Sequence, residues 1–270
     1  MKNAPVFLAA TCALMALLHA GGAEPQKKQP SARQEQGATK KPLEQGPLGR
    51  ILVEDVCAPD LDKVIDDLTN LRTNPVMSSN PAIRQIITGS AIDAAREVVE
   101  HSKMSKSDYF TAAYRGKSEA IERLAAKTYT NEVTYSEEWA LRALRGAMAV
   151  DLARAFARAY QEAKPNNFRE AYAKYKEDLE TLAAKNWELD EITSTSREIF
   201  RLRDVTWAHF RDVATELRNR SSQGGTLSDA YRENKKILDA IADDPMEERT
   251  GYKKFAVCRV LKAVKEPNSR

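Results

Sequence analysis

Residues 134–163, TYSEEWALRALRGAMAVDLARAFARAYQEA, contain no proline and keep a helical apolar period from end to end. Leu141, Leu144, Met148, Leu152, Ala155 and Ala159 recur every three or four positions and make one stripe. At 100° per residue, Trp139 and Val150 fall on the opposite side, and Ala140, Ala143, Ala147 and Ala153 keep the flanks small. A helix that is apolar on one stripe faces one neighbour. One that is apolar or small around most of its circumference sits among several. The stretch therefore predicts the central helix of an all-α body, roughly 40 Å long at about 1.5 Å per residue.

The remaining apolar pattern agrees. A short helix over Leu61, Val64, Ile65, Leu68 and Leu71 stops before Asn74-Pro75, and Asn80-Pro81 starts another that carries Ile83, Ile87, Ala91, Ala94 and Val98 to about His101. Gly89 within it marks either a weak point or a close approach. Ser107 caps a helix closed at Gly116, and Ser118 starts the next. Thr134 and Glu137 stand at capping-box spacing, as do Thr195 and Glu198. Phe168, Tyr172, Tyr175, Leu179 and Leu182 form a two-heptad seam, the pattern of a helix lying along one partner. Ser221-Ser222-Gln223-Gly224-Gly225 is the clearest loop, followed by helices over Leu227–Ile241 and Tyr252–Val264. No alternating strand run appears. The expectation is a single helical-bundle-like domain of about eight helices over residues 51–270.

Two segments precede it. Residues 1–23 have one early lysine, an apolar run from Ala4 to Ala20 and small residues up to Ala23, the pattern of a signal peptide cleaved between Ala23 and Glu24. Residues 24–50 hold four prolines, almost no large apolar side chain, and six basic residues against three acidic ones. Such a segment cannot bury enough surface to offset its ordering entropy, so it reads as a disordered basic linker. The rest of the chain is close to neutral and lacks the basic patch that nucleic-acid binding requires. No second long apolar run follows, so no transmembrane segment is expected after cleavage. These features place the protein in a secreted, periplasmic or extracellular setting.

Catalytic signatures are lacking. After cleavage only His101 and His209 remain as histidines, without cysteines or paired carboxylates at ligand spacing, so no metal or cofactor is expected. His209 reads as a half-buried histidine beside an aromatic stripe. Asp66-Asp67 and Asp243-Asp244 lack the further acids that magnesium-binding pairs need, and read as surface charge. Arg201, Arg203, Arg211, Arg218 and Arg220 alternate with Glu198, Asp204, Asp212 and Glu216, as a surface of ion pairs would. Trp139, Trp187 and Trp207 read as core. Asn219-Arg220-Ser221 is a glycosylation sequon on Asn219.

Two cysteines remain once Cys12 leaves with the signal peptide. Cys57 lies at the mouth of the first helix and Cys258 within the last, and an even count in an oxidising compartment favours a bridge between them. Arg50-Ile51-Leu52-Val53-Glu54 resembles the R-x-L-x-E export element of malaria-type apicomplexan parasites. The resemblance covers these five residues; it implies cleavage after Leu52, with Arg50, Leu52 and Glu54 as the recognised positions, and export as the destination. The reading that follows from the residues themselves is a secreted, non-catalytic helical interaction protein with a protein partner. A small all-α enzyme and an apolar-ligand carrier are the alternatives.

Overall fold

The computed structural model describes residues 56–105, 107–164, 166–185, 197–243 and 251–265. Among these residues there are ten α-helices and no strand, in one compact all-α domain. In chain order they are α1 (Leu61–Thr73), α2 (Pro75–Ser79), α3 (Pro81–Met104), α4 (Asp108–Arg115), α5 (Ser118–Ala125), α6 (Tyr135–Glu162), α7 (Asn167–Ala184), α8 (Arg197–Arg220), α9 (Thr226–Asp243) and α10 (Gly251–Lys265).

The one-turn α2 departs from the expected series. Asn74 accepts a hydrogen bond from the Val76 amide with Pro75 at the first helical position, the same arrangement by which Asn80 starts α3. Both Asn-Pro pairs are start signals, and the first ends α1 and begins α2 together. Gly89 in α3 is a close approach by a tyrosine from the loop after α5. A β-carbon there would lie 2.9 Å from the Tyr129 ring, whose hydroxyl donates to Asp93. Gly116 ends α4 at a φ of −73° and uses none of glycine's left-handed freedom. Gly224 and Gly225, both at φ 77°, do use it to turn the chain between α8 and α9.

Two apolar cores share α6. Ala140, Leu141, Leu144 and Ala147 pack with α1, α3, α4 and α5, in a core that includes Ile65, Ile92, Val98, Phe110, Ile121 and Leu124. Ala149, Val150, Ala153, Phe156 and Ala159 pack with α7 to α10, in a core that includes Phe168, Tyr172, Leu179, Val205, Phe210, Leu238 and Val260. The helix passes from one core to the other within a single turn, between Ala147 and Ala149. Its alanines are why it can be enclosed on both sides: Ala140, Ala147 and Ala153 are at most 1 % exposed. The Thr134–Glu137 capping box is formed, and the buried Glu137 carboxylate also receives Lys127 at 2.7 Å.

The seam on α7 has two neighbours, α6 and α8, instead of the single partner that heptad spacing implies. Tyr175 breaks the helical geometry in the middle of α7, at φ −116° and ψ 17°, and donates its hydroxyl to Asp204.

Cys57 and Cys258 are joined, with Cα atoms 5.7 Å apart. The bridge ties the segment leading into α1 to α10; Val56 and Cys57 pack, like Val257 and Cys258, in the second core, while α1 itself continues into the first. Cross-linking across 201 residues should contribute up to about 5 kcal/mol in the chain-entropy model. The Cys57→Ala/Cys258→Ala variant is therefore expected to lose about 3–5 kcal/mol of unfolding free energy in urea titrations. An unchanged midpoint and slope would contradict this.

Candidate functional site

Two places on the domain combine exposed or enclosed space with chemistry-bearing side chains. The first is a cavity of about 150 Å³ where the two cores meet, beside the disulfide. Val56, Ala58 and Pro59 wall it on one side, held by Cys57. Leu152 of α6, Leu202 and Phe210 of α8 supply apolar surface. The polar wall comes from four helices. Asp62 of α1 pairs with Arg145 of α6 at 2.5 Å and with Arg203 of α8 at 3.5 Å. Lys254 of α10 donates to the Ala58 carbonyl at 2.8 Å. Burial pushes the Asp62 carboxyl up, against the pull of Arg145 and Arg203. Burial likewise draws the Lys254 ammonium below its usual range, against Asp60, Asp62 and Glu97. Trp207, 7 % exposed, completes the wall, and its indole Nε1 finds no acceptor among the described residues.

The second place is a cleft of about 240 Å³ lined by Leu68, Leu71, Arg72, Arg84, Val133 and Tyr135 among others. Tyr135 is 66 % exposed and stacks on Trp139, 43 % exposed, with ring centroids 6.2 Å apart and planes 17° from parallel. They are one helical turn apart at the start of α6, so the helix itself holds the pair. The Arg72 guanidinium lies 5.7 Å from the Tyr135 ring centre. Arg72 also reaches Glu138 at 3.5 Å, and Arg84 reaches Glu132 at 3.6 Å, both long and open to solvent on the arginine side. Trp139 is thus a surface residue, contrary to its expected place in the core. The first turn of α6 buries Glu137 and Glu138 on one side and turns Tyr135 and Trp139 outward on the other.

Other expectations from the sequence meet mixed outcomes. Trp207 is core as expected, and Trp187 lies outside the described residues. Ala23, Glu24, Arg50, Leu52 and Glu54, the processing positions, and Thr195 and Asp244 also lie outside them. Asn219 is exposed in the last turn of α8. His101 is buried edge-on against Phe110, with ring centroids 4.8 Å apart. His209 is 3 % exposed, so it is a core residue and not a half-buried one. It sits among Phe156, Phe168 and Phe210.

The arginine row of α8 pairs mainly with other helices and not with its own acids. Arg201 reaches Asp178 of α7, Arg203 reaches Asp62 of α1, and Arg218 reaches Asp243 of α9. Arg220 with Glu216 is the pair that helical spacing anticipates. Asp212 is buried, so it is no part of a surface of ion pairs. It accepts from the Phe168 amide at 2.8 Å and the Asn167 side chain at 2.8 Å, and so caps α7 from a neighbouring helix. Asp151 of α6 serves α4 in the same way, accepting from the Phe110 amide at 3.0 Å and from the Ser107 hydroxyl.

Among the described residues no cluster of three or more His, Cys, Asp or Glu side chains has the geometry to hold a metal ion. No described helix is long and apolar enough to cross a membrane. No protein-family profile matches the chain, and neither a curated protein nor a solved structure matches it.

Burial holds the His209 imidazole neutral, with its pKa lowered from 6.5 to about 4. The unfolded chain then takes up the proton first as the pH falls. The stability that comes from burying a neutral ring is complete above the unfolded pKa and is lost on descending towards the folded one. Unfolding free energy should drop by about 2 kcal/mol between pH 6.5 and about pH 5 on account of this residue. The His209→Leu variant should show a flatter profile over that interval, and a profile parallel to the native one would contradict the assignment.

Proposed function

We propose that the protein is a secreted, non-catalytic interaction module that binds a protein partner through the surface around Tyr135, Trp139 and Arg72. The observation that carries this reading is the exposed, stacked Tyr135–Trp139 pair beside a cleft. Tryptophan, tyrosine and arginine are the residues that most often dominate binding energy at protein interfaces, because each combines a large contact area with a polar group. Leaving both aromatic rings in water costs hydrophobic free energy, which a partner would recover. Arg72 and Arg84 are held by single, long ion pairs to Glu138 and Glu132. A partner carboxylate can compete for either arginine. The partner chemistry that fits is an apolar side chain seated in the cleft with acidic residues beside it.

The setting outside the cytosol rests on the signal-peptide pattern of residues 1–23 and on the Cys57–Cys258 bridge, which suits an oxidising compartment. The export-type pentapeptide at Arg50–Glu54 would, as a narrower proposal, carry the same module beyond the cell that makes it.

The Tyr135→Ser/Trp139→Ser variant tests the reading. Both side chains are exposed, so thermal stability should stay within about 0.5 kcal/mol of the native protein. Affinity for the captured partner should fall by at least about tenfold, as loss of a hot spot requires. Phe255→Ser, which removes another exposed aromatic ring on α10, should bind normally. Equal capture by the native protein and the double variant would overturn the assignment of this surface.

A further inference from the structure

We propose that the cavity beside the disulfide is a binding site for a small monocarboxylate with an apolar body about the size of a benzene ring. The inference is separate from the interaction surface and does not rest on it. At about 150 Å³ the cavity is too small for a drug-sized ligand or a nucleotide. A space of that volume with apolar walls admits a ring of about benzene size. Leu152, Leu202 and Phe210 offer such walls.

The polar side of the wall selects the ligand's other end. Arg145, Arg203 and Lys254 stand against Asp60 and Asp62, so the lining holds one more cation than anion. Glu97 also feels the Lys254 charge, but it lies outside the lining and is shared with Lys262. A single negative charge on the ligand therefore balances the wall, and a positive one aggravates its excess. Trp207 is a further wall residue, so its ring reports on what enters the cavity. A carboxylate carries the single negative charge that the wall balances. A neutral alcohol of the same size lacks it, and an ammonium reverses it.

The disulfide bears on the site through its wall. Cys57 fixes Val56, Ala58 and Pro59, while Cys258 lies one helical turn beyond Lys254 and so shares its face of α10. The bridge thereby keeps the Ala58 carbonyl within reach of the Lys254 ammonium.

Benzoate is the probe, with benzyl alcohol and benzylamine as its neutral and cationic counterparts. Binding to the oxidised full chain is read from the Trp207 indole N–H resonance, identified by its loss in Trp207→Phe. Benzoate should shift that resonance saturably and bind at least about tenfold more tightly than benzyl alcohol, the effect of one charge-assisted contact. Benzylamine should bind more weakly than either. Lys254→Met should weaken benzoate by a similar factor and leave benzyl alcohol unchanged. Arg203→Gln, at a side chain that is half exposed and so safe for folding, should weaken benzoate severalfold. The proposal is overturned if the Trp207 resonance stays still up to the solubility limit of benzoate. It is overturned equally if benzyl alcohol binds as tightly as benzoate, or if Arg203→Gln binds benzoate like the native protein.

Discussion

The enclosure of α6 is the constraint on which the rest depends. A helix that must serve two cores needs side chains small enough to let neighbours approach from opposite sides, and large enough at intervals to anchor each core. Leu141 and Leu144 anchor the first core, Val150 and Phe156 the second, and alanines fill the positions between. Burying four such large side chains contributes roughly 6–12 kcal/mol before the entropy of ordering is counted. Because the anchors lie on one continuous hydrogen-bonded rod, neither core can form its native packing without the helix that the other also requires.

The disulfide closes the same arrangement from outside. Its two ends, on the segment before α1 and on α10, both pack in the second core, and the chain passes from Cys57 directly into α1 of the first. The cavity lies between them because two cores that meet around a helix leave a seam, here filled partly by charge. Asp62, Arg145 and Arg203 come from three helices and satisfy one another there. The Asp62–Arg145 pair is largely buried and the Arg203 pair half exposed. Both kinds add little net stability, the first because desolvation cancels much of the attraction and the second because solvent screens it. Their consequence is chemical: a polar wall facing an apolar one in a small, partly open volume.

Much of the architecture was legible in the sequence. The small residues around α6, the capping box at Thr134 and the paired cysteines are local or countable features, and each follows from the chain alone. The handover of α6 between two cores was not legible, because periodicity reports how many faces are buried and not which partners bury them. Asp212 was misread for a related reason. Its arginine neighbours at helical spacing suggested a surface pair, whereas its position on the fold aims it at the first amides of α7. Trp139 belongs by composition to a core, yet it lies on the outward side of a helix start whose other side buries Glu137 and Glu138. The cavity was the least legible of all. Asp62, Arg145, Arg203 and Lys254 are scattered over nearly 200 residues and share no spacing. One clue existed: pairing Cys57 with Cys258 places Lys254 opposite the residues after Cys57.

Native-state hydrogen exchange along α6 tests most directly whether one helix makes the two cores a single cooperative unit. With the disulfide intact, the amides near Leu141 and Leu144 and those near Val150 and Phe156 should exchange only through global opening. Both groups should then report one free energy, with one dependence on denaturant. Two separate opening free energies, one for each half of the helix, would contradict the account and divide the domain at Ala147–Ala149.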